Sequence, residues 1–200
     1  MPSPECFALT VLYSDPMTRD TDVATARQAA LQHFHWINGH ADVWAMFQDA
    51  DSLRTIVDGL AQLAGRERPD LIAGIESRGF VLAPAVAVAL GVGFTPLRKK
   101  GSLFPGDTVG QMTDADYRGN RRTLLARRDH LERAERVVLV DDWIETGSQA
   151  FAASQLISAC GSELAAVVVI VDEAGRTARS RLPPIRALLK ATDLPNSPPP

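Results

Sequence analysis

The residues best able to do chemistry stand together in VVLVDDWIETGSQ, residues 137–149. An apolar run ends in two carboxylates, Asp141 and Asp142. Such a pair can grip vicinal hydroxyls or hold a cation beside them. Glu145, Thr146, Gly147, Ser148 and Gln149 then lead into the next element. A helix start presents unpaired N–H groups and partial positive charge, so anions settle there. Gly147 admits a phosphate close to the backbone, and Thr146, Ser148 and Gln149 add side-chain donors. Hydroxyl-gripping acids beside a phosphate cradle describe a pocket for a ribose 5-phosphate. The same residues also fit an Asp-rich turn with an ordinary helix cap.

These residues need a strand before them and a helix after them, and the pattern supplies both. RVVLVDD (136–142) reads as a buried strand, and a helix is expected from Ser148 to Cys160, stopped by Gly161. LIAGI (71–75), VGFTPL (92–97), AAVVVIV (165–171) and IRALL (185–189) read as further strands. Helices are expected over 22–32, over 53–64 with Asp51 or Ser52 as cap, and over 79–90 before Gly91. Buried strands alternating with helices predict one α/β domain with a mostly parallel twisted sheet, whose ligands bind at the carboxyl ends of the strands. The segment HFHWINGHADVWAMF (33–47) reads as a loop or cap, and 98–120 as a long functional loop. The expected organisation is an N-terminal cap over 1–40, the main domain over 41–190 and a disordered proline-rich tail over 191–200.

Composition bounds the partners. The chain of 200 residues is 46% hydrophobic and 22% charged, with a formal net charge of −3. That balance argues against a general nucleic-acid or membrane-surface binder. The arginines of 118–136 alternate with Asp129, Glu132 and Glu135, as on a solvated face. Cys6 and Cys160 lack metal-ligand spacing and suggest the reduced thiols of a cytoplasmic protein. No apolar stretch reaches bilayer length.

The 137–149 stretch resembles the phosphoribosyl pyrophosphate signature of the type I phosphoribosyltransferases: four apolar residues, two acids and a Thr-Gly phosphate loop. GIESRGFVLAPAVAVALGVGFTPLRKKGSLFPG (74–106) is similar to the matching region of the adenine phosphoribosyltransferases. The likeness runs in order from Ala41 to Asp172. It implies transfer of ribosyl-5-phosphate from phosphoribosyl pyrophosphate to an acceptor, with a flexible hood closing over the site. It implies that Glu76, Ser77, Arg78 and Gly79 surround the pyrophosphate, and that Arg98, Lys99 and Lys100 add positive charge, to their own site or a partner's in a homodimer. Asp141 and Asp142 are then expected to hold ribose hydroxyls, and residues 145–149 the 5-phosphate. Mg²⁺ is the implied cofactor, held mainly by pyrophosphate and ribose with the two aspartates nearby.

The chain departs from that family in three places. Glu145 stands where the adenine enzymes have alanine, and enzymes acting on 6-oxopurines have aspartate. It is a candidate general base, or a solvent-facing residue whose backbone alone binds phosphate. Ser148 and Gln149 replace the usual Gly-Thr. Asp116, before Tyr117, falls near the hood's Glu-Tyr pair, as a second catalytic candidate or a solvated loop carboxylate. The family's proline-glycine segment gives way to HFHWINGHADVW, so Trp36, Trp44 and Trp143 are expected either to line a different acceptor pocket or to lie in the core. The acceptor is thus adenine, or a specialised nucleobase, amine or hydroxyl metabolite. The alternative is a non-catalytic regulatory protein that binds phosphoribosyl pyrophosphate.

Overall fold

The structure is a computed structural model, described here over residues 22–101, 103–115 and 119–196. Helix α1 (Val23–His33) leads to a small hairpin, β1 (His35–Ile37) and β2 (His40–Asp42), then α2 (Ala45–Gln48) and α3 (Ala50–Gly65). Next come β3 (Leu71–Ile75), α4 (Gly79–Leu90) and β4 (Gly93–Lys99). β5 (Thr108–Met112), β6 (Thr123–Arg127) and the short α5 (Arg128–Leu131) follow. The chain continues through β7 (Arg136–Ile144), α6 (Ser148–Ala159), β8 (Glu163–Asp172), α7 (Arg176–Arg181) and β9 (Ile185–Lys190).

The apolar runs do become buried strands of one seven-stranded sheet, ordered β5-β6-β4-β3-β7-β8-β9. The five strands from β4 to β9 pair in parallel, and β6 and β5 extend the β4 edge antiparallel. Alternate side chains feed opposite faces, as period-two strands must. Ile72, Val138, Val140, Val168 and Ile170 pack with α1, α3 and α4. Ala73, Ile75, Leu139, Val167 and Val169 pack with α6. The crossover from β3 runs to β4 on one side, and that from β7 runs to β8 on the other. The sheet order therefore reverses between β3 and β7, and a crevice opens at their carboxyl ends.

Four local readings change. Asp49, not Asp51 or Ser52, caps α3, accepting a 2.8 Å hydrogen bond from the Ser52 N–H. The segment 33–47, expected as a loop or cap, contains the β1–β2 hairpin. Its two turn residues, Asn38 and Gly39, take φ of 50° and 74°, and Asn-Gly is the pair a tight type I′ turn favours. The expected loop over 98–120 contains β5, which pairs with β6 into a hood at the sheet's edge. β5 has no fully buried residue to mark it as a strand, although Leu124 and Ala126 on β6 are fully buried. At the other end, Ala191–Asp193 form a 3-10 turn. Asp193 pairs with Arg27 at 2.9 Å, and the Pro195 carbonyl accepts from Trp36 Nε1 at 2.8 Å. The first residues of the proline-rich tail are thus tied to the body of the fold, because it carries a carboxylate and a carbonyl that α1 and the hairpin can bind. Among the described residues no helix is long and apolar enough to cross a membrane.

Candidate active site

Two twelve-residue helices begin at the crevice, α4 just after β3 and α6 just after β7. Neither has a side-chain N-cap hydrogen bond, and both bring positive dipole ends to the crevice. Glycines bring the backbones together. A Cβ on Gly74 would lie 2.6 Å from the Gly79 carbonyl oxygen, and one on Gly79 would lie 3.1 Å from that of Val140. Gly147, with φ of 71°, makes the left-handed turn into α6 and leaves no room for a side chain against Ala178.

A cavity of about 940 Å³ fills the crevice. It gathers Arg78, Asp141, Trp143, Glu145, Thr146, Gly147, Ser148 and Gln149 from the sequence candidates, with Trp36 on the opposite wall. Thr146 Oγ1 donates to Ser148 Oγ at 3.2 Å and accepts from the Ser148 N–H at 3.3 Å, which shapes the loop into α6. Glu145 is exposed at the cavity wall.

The two aspartates separate in role. Asp141 lines the cavity, whereas Asp142 is 4% exposed and pairs with Arg78 at 3.0 Å. Its own backbone N–H donates to Asp141 Oδ1 at 2.9 Å. Burial, and then the neighbouring Asp142 charge, push the Asp141 carboxyl well above its ordinary value. Burial also raises Asp142, against the opposing Arg78 charge.

The cationic candidates divide as well. Glu76 and Arg98 pair with each other at 3.2 Å, and Glu76 also accepts from the Lys99 N–H at 2.9 Å. This bracing ties the loop after β3 to β4, and the Glu76–Ser77 peptide within it is cis. Glu76, Arg98 and Lys99 all lie outside the cavity lining, and Arg98 also donates to the Leu103 carbonyl at 2.9 Å. Lys99 is half-buried near Asp141, Glu76 and Arg78, and burial followed by the Arg122 charge lowers its pKa. Lys100 is exposed. Trp44 does not join the pocket. It is 52% exposed and packs edge-on against Phe47 at the start of α2. Asp116 lies outside the described residues.

Sequence reasoning passed over other wall residues: His40, Glu173 and the segment from Ala191 to Asn196. Glu173 Oε2 accepts from Trp143 Nε1 at 2.8 Å. Its position one residue past the end of β8 was the available signal, because parallel strands present their ligands there. Arg122, whose charge reaches Lys99, carried no motif at all.

Comparison with known proteins supplies independent findings. A family model described as the phosphoribosyl transferase domain matches residues 43–193. An adenine phosphoribosyltransferase of Brucella ovis is 40% identical over 152 residues, covering 74% of this chain and 82% of that protein. One from Acidiphilium cryptum is 38% identical over 149 residues, covering 74% and 85%. The crystal structure of the Saccharomyces cerevisiae adenine phosphoribosyltransferase, complexed with an imino-altritol bisphosphate and adenine, superposes with a TM-score of 0.72 at 28% identity. It covers 83% of this chain and 99% of that one.

Proposed function

The chain belongs to the phosphoribosyltransferase family, and from that premise we propose that it transfers ribosyl-5-phosphate from phosphoribosyl pyrophosphate to the nitrogen of a nucleobase of the adenine class, releasing pyrophosphate. The observation that carries this reading is the cavity at the β3–β7 crevice, where Arg78, Asp141 and the start of α6 converge. The backbone donors and hydroxyls of 145–149 hold the 5-phosphate. Arg78 and Lys99 face the pyrophosphate, with the start of α4 beneath it. Ser77 and Gly79 supply the loop backbone, and Lys100 contributes from the surface. Asp141 takes the ribose hydroxyls, and Asp142 keeps Arg78 in place.

As the bond from C1 to pyrophosphate breaks, positive charge grows on the ribose ring, and the acceptor nitrogen then bonds to C1. Asp141 lies where a carboxylate can stabilise that charge. Glu145 takes the proton that the acceptor nitrogen gives up. Among the described residues no cluster of three or more metal-ligating side chains exists. The Asp141 carboxylate at the cavity wall suits Mg²⁺, which binds through one or two carboxylates and keeps phosphate oxygens and water as its other ligands. Asp141 is the carboxylate placed to meet it. When bound, Mg²⁺ supplies positive charge against the leaving pyrophosphate.

The apolar outer face of α4, with Val81 40% and Val88 72% exposed, supports a homodimer built on that helix. The test is pyrophosphate release from phosphoribosyl pyrophosphate and Mg²⁺ with adenine, other bases, amines and hydroxyl compounds. Release with adenine is the expected result. Tight donor binding without release by any acceptor would overturn the transferase reading in favour of a regulatory binding protein. Glu145→Ala is expected to lower kcat by about 10²–10⁴-fold with little change in the KM for the donor. Unchanged turnover would remove Glu145 from the chemistry.

A further inference from the structure

The cavity's far wall is unlike its phosphate end. It is built from the hairpin residues Trp36 and His40, from Trp143, and from the segment reaching Asn196. The hydrogen bond from Trp36 Nε1 to the Pro195 carbonyl closes that wall. Within it stands one carboxylate, Glu173. Two contacts fix it: its backbone N–H donates to the Ile144 carbonyl at 2.8 Å, and its Oε2 accepts from Trp143 Nε1 at 2.8 Å. Trp143 is the next-to-last residue of β7, and Glu145 opens the turn that the reading above gives to the sugar phosphate, so this carboxylate is tied to the strand that leads into that turn.

We propose that Glu173 is a specificity-determining residue for the acceptor, selecting bases that present an exocyclic amino group, and that Trp143 is the positioning residue that holds it. This rests on the transferase reading above. An ionised carboxylate only accepts hydrogen bonds. It therefore binds an amino edge and repels the lone pairs of a carbonyl at the same place. A tethered carboxylate discriminates better than a mobile one, because its orientation is already fixed before the acceptor arrives. The indole N–H uses one oxygen, and the carboxylate keeps further acceptor capacity for the base.

The test compares kcat/KM for adenine and for hypoxanthine, which carries an oxo group in place of the amino group, in wild type and in Glu173→Gln. The glutamine keeps the shape and removes the charge. The expected result is a fall of roughly tenfold to a hundredfold in the adenine-to-hypoxanthine preference. Calorimetric binding of phosphoribosyl pyrophosphate with Mg²⁺ should stay unchanged, which separates recognition from misfolding. Trp143→Phe keeps a ring and loses the N–H donor, so it should move the preference in the same direction by less. Glu173→Gln with wild-type preference overturns the inference. A wild-type enzyme that uses only oxo bases also overturns it, and leaves the transferase reading intact. Donor binding with no turnover of any base overturns that reading, and the inference with it.

Discussion

At the scale of single residues, the site carries its chemistry at some cost to the empty protein. Asp141 is held well above the ordinary carboxylate range by burial and by Asp142. The folded chain therefore keeps a proton that the unfolded chain gives up at lower pH. This group's contribution to stability falls as pH rises from the unfolded value toward the raised folded value, and the full penalty stands above it. Asp141→Asn removes the charge while its side-chain oxygen can still accept from the Asp142 N–H. It is expected to raise the melting temperature of the ligand-free protein at neutral pH, by about 2–4 °C per kcal/mol relieved. The gain should disappear in melts below the unfolded carboxylate value. Donor binding should weaken in the same variant, since the amide no longer brings a negative charge to the ribose hydroxyls. Melts across pH, with and without phosphoribosyl pyrophosphate, check both halves.

At the scale of elements, close backbone approach sets the geometry. β3 and the first turn of α4 touch at Gly74, where a Cβ would meet the Gly79 carbonyl oxygen at 2.6 Å and the Ala83 Cβ at 2.7 Å. Gly74→Ala is expected to destabilise the protein by about 1–3 kcal/mol, through overpacking against rigid backbone. It should also raise the KM for the donor, because relief comes by moving the loop that carries Ser77 and Arg78. Chemical denaturation and steady-state kinetics read the two effects. How far such elements were legible depended on their environment. The parallel strands were plain because both faces are buried, so Val137 to Val140 and Ala165 to Val171 read as unbroken apolar runs. The antiparallel hood was not, because β5 alternates half-buried with exposed residues and β6 sits among arginines. The phosphate loop was legible from the order strand, acids, turn, helix. The acceptor wall was not, since Trp36, Glu173 and Pro195 are far apart in sequence and meet only through the fold. The mutual pairing of Glu76 and Arg98 was also beyond sequence reasoning, because the two stand 22 positions apart and meet only through the pairing of β3 with β4.

At the scale of the whole molecule, the two layers divide the labour. One face of the sheet packs on α1, α3 and α4, and the other on α6. α4 is apolar on its outer side as well, with Val81 and Val88 open to solvent. On the proposed homodimer, Val88→Asp is expected to leave the fold unchanged and shift the protein from dimer to monomer in sedimentation velocity, because a charge within that apolar contact is costly to bury. A wild-type monomer at micromolar concentration would remove α4 as the pairing surface. The bond between Trp36 and Pro195 joins residues 159 positions apart and closes the acceptor wall. A chain growing on the ribosome makes the hairpin first and must wait for Pro195 before that wall exists. The phosphate loop and its paired acids emerge earlier, roughly several seconds ahead at about 5–20 residues per second. The acceptor wall can thus close only after the residues of the phosphate loop have long been made.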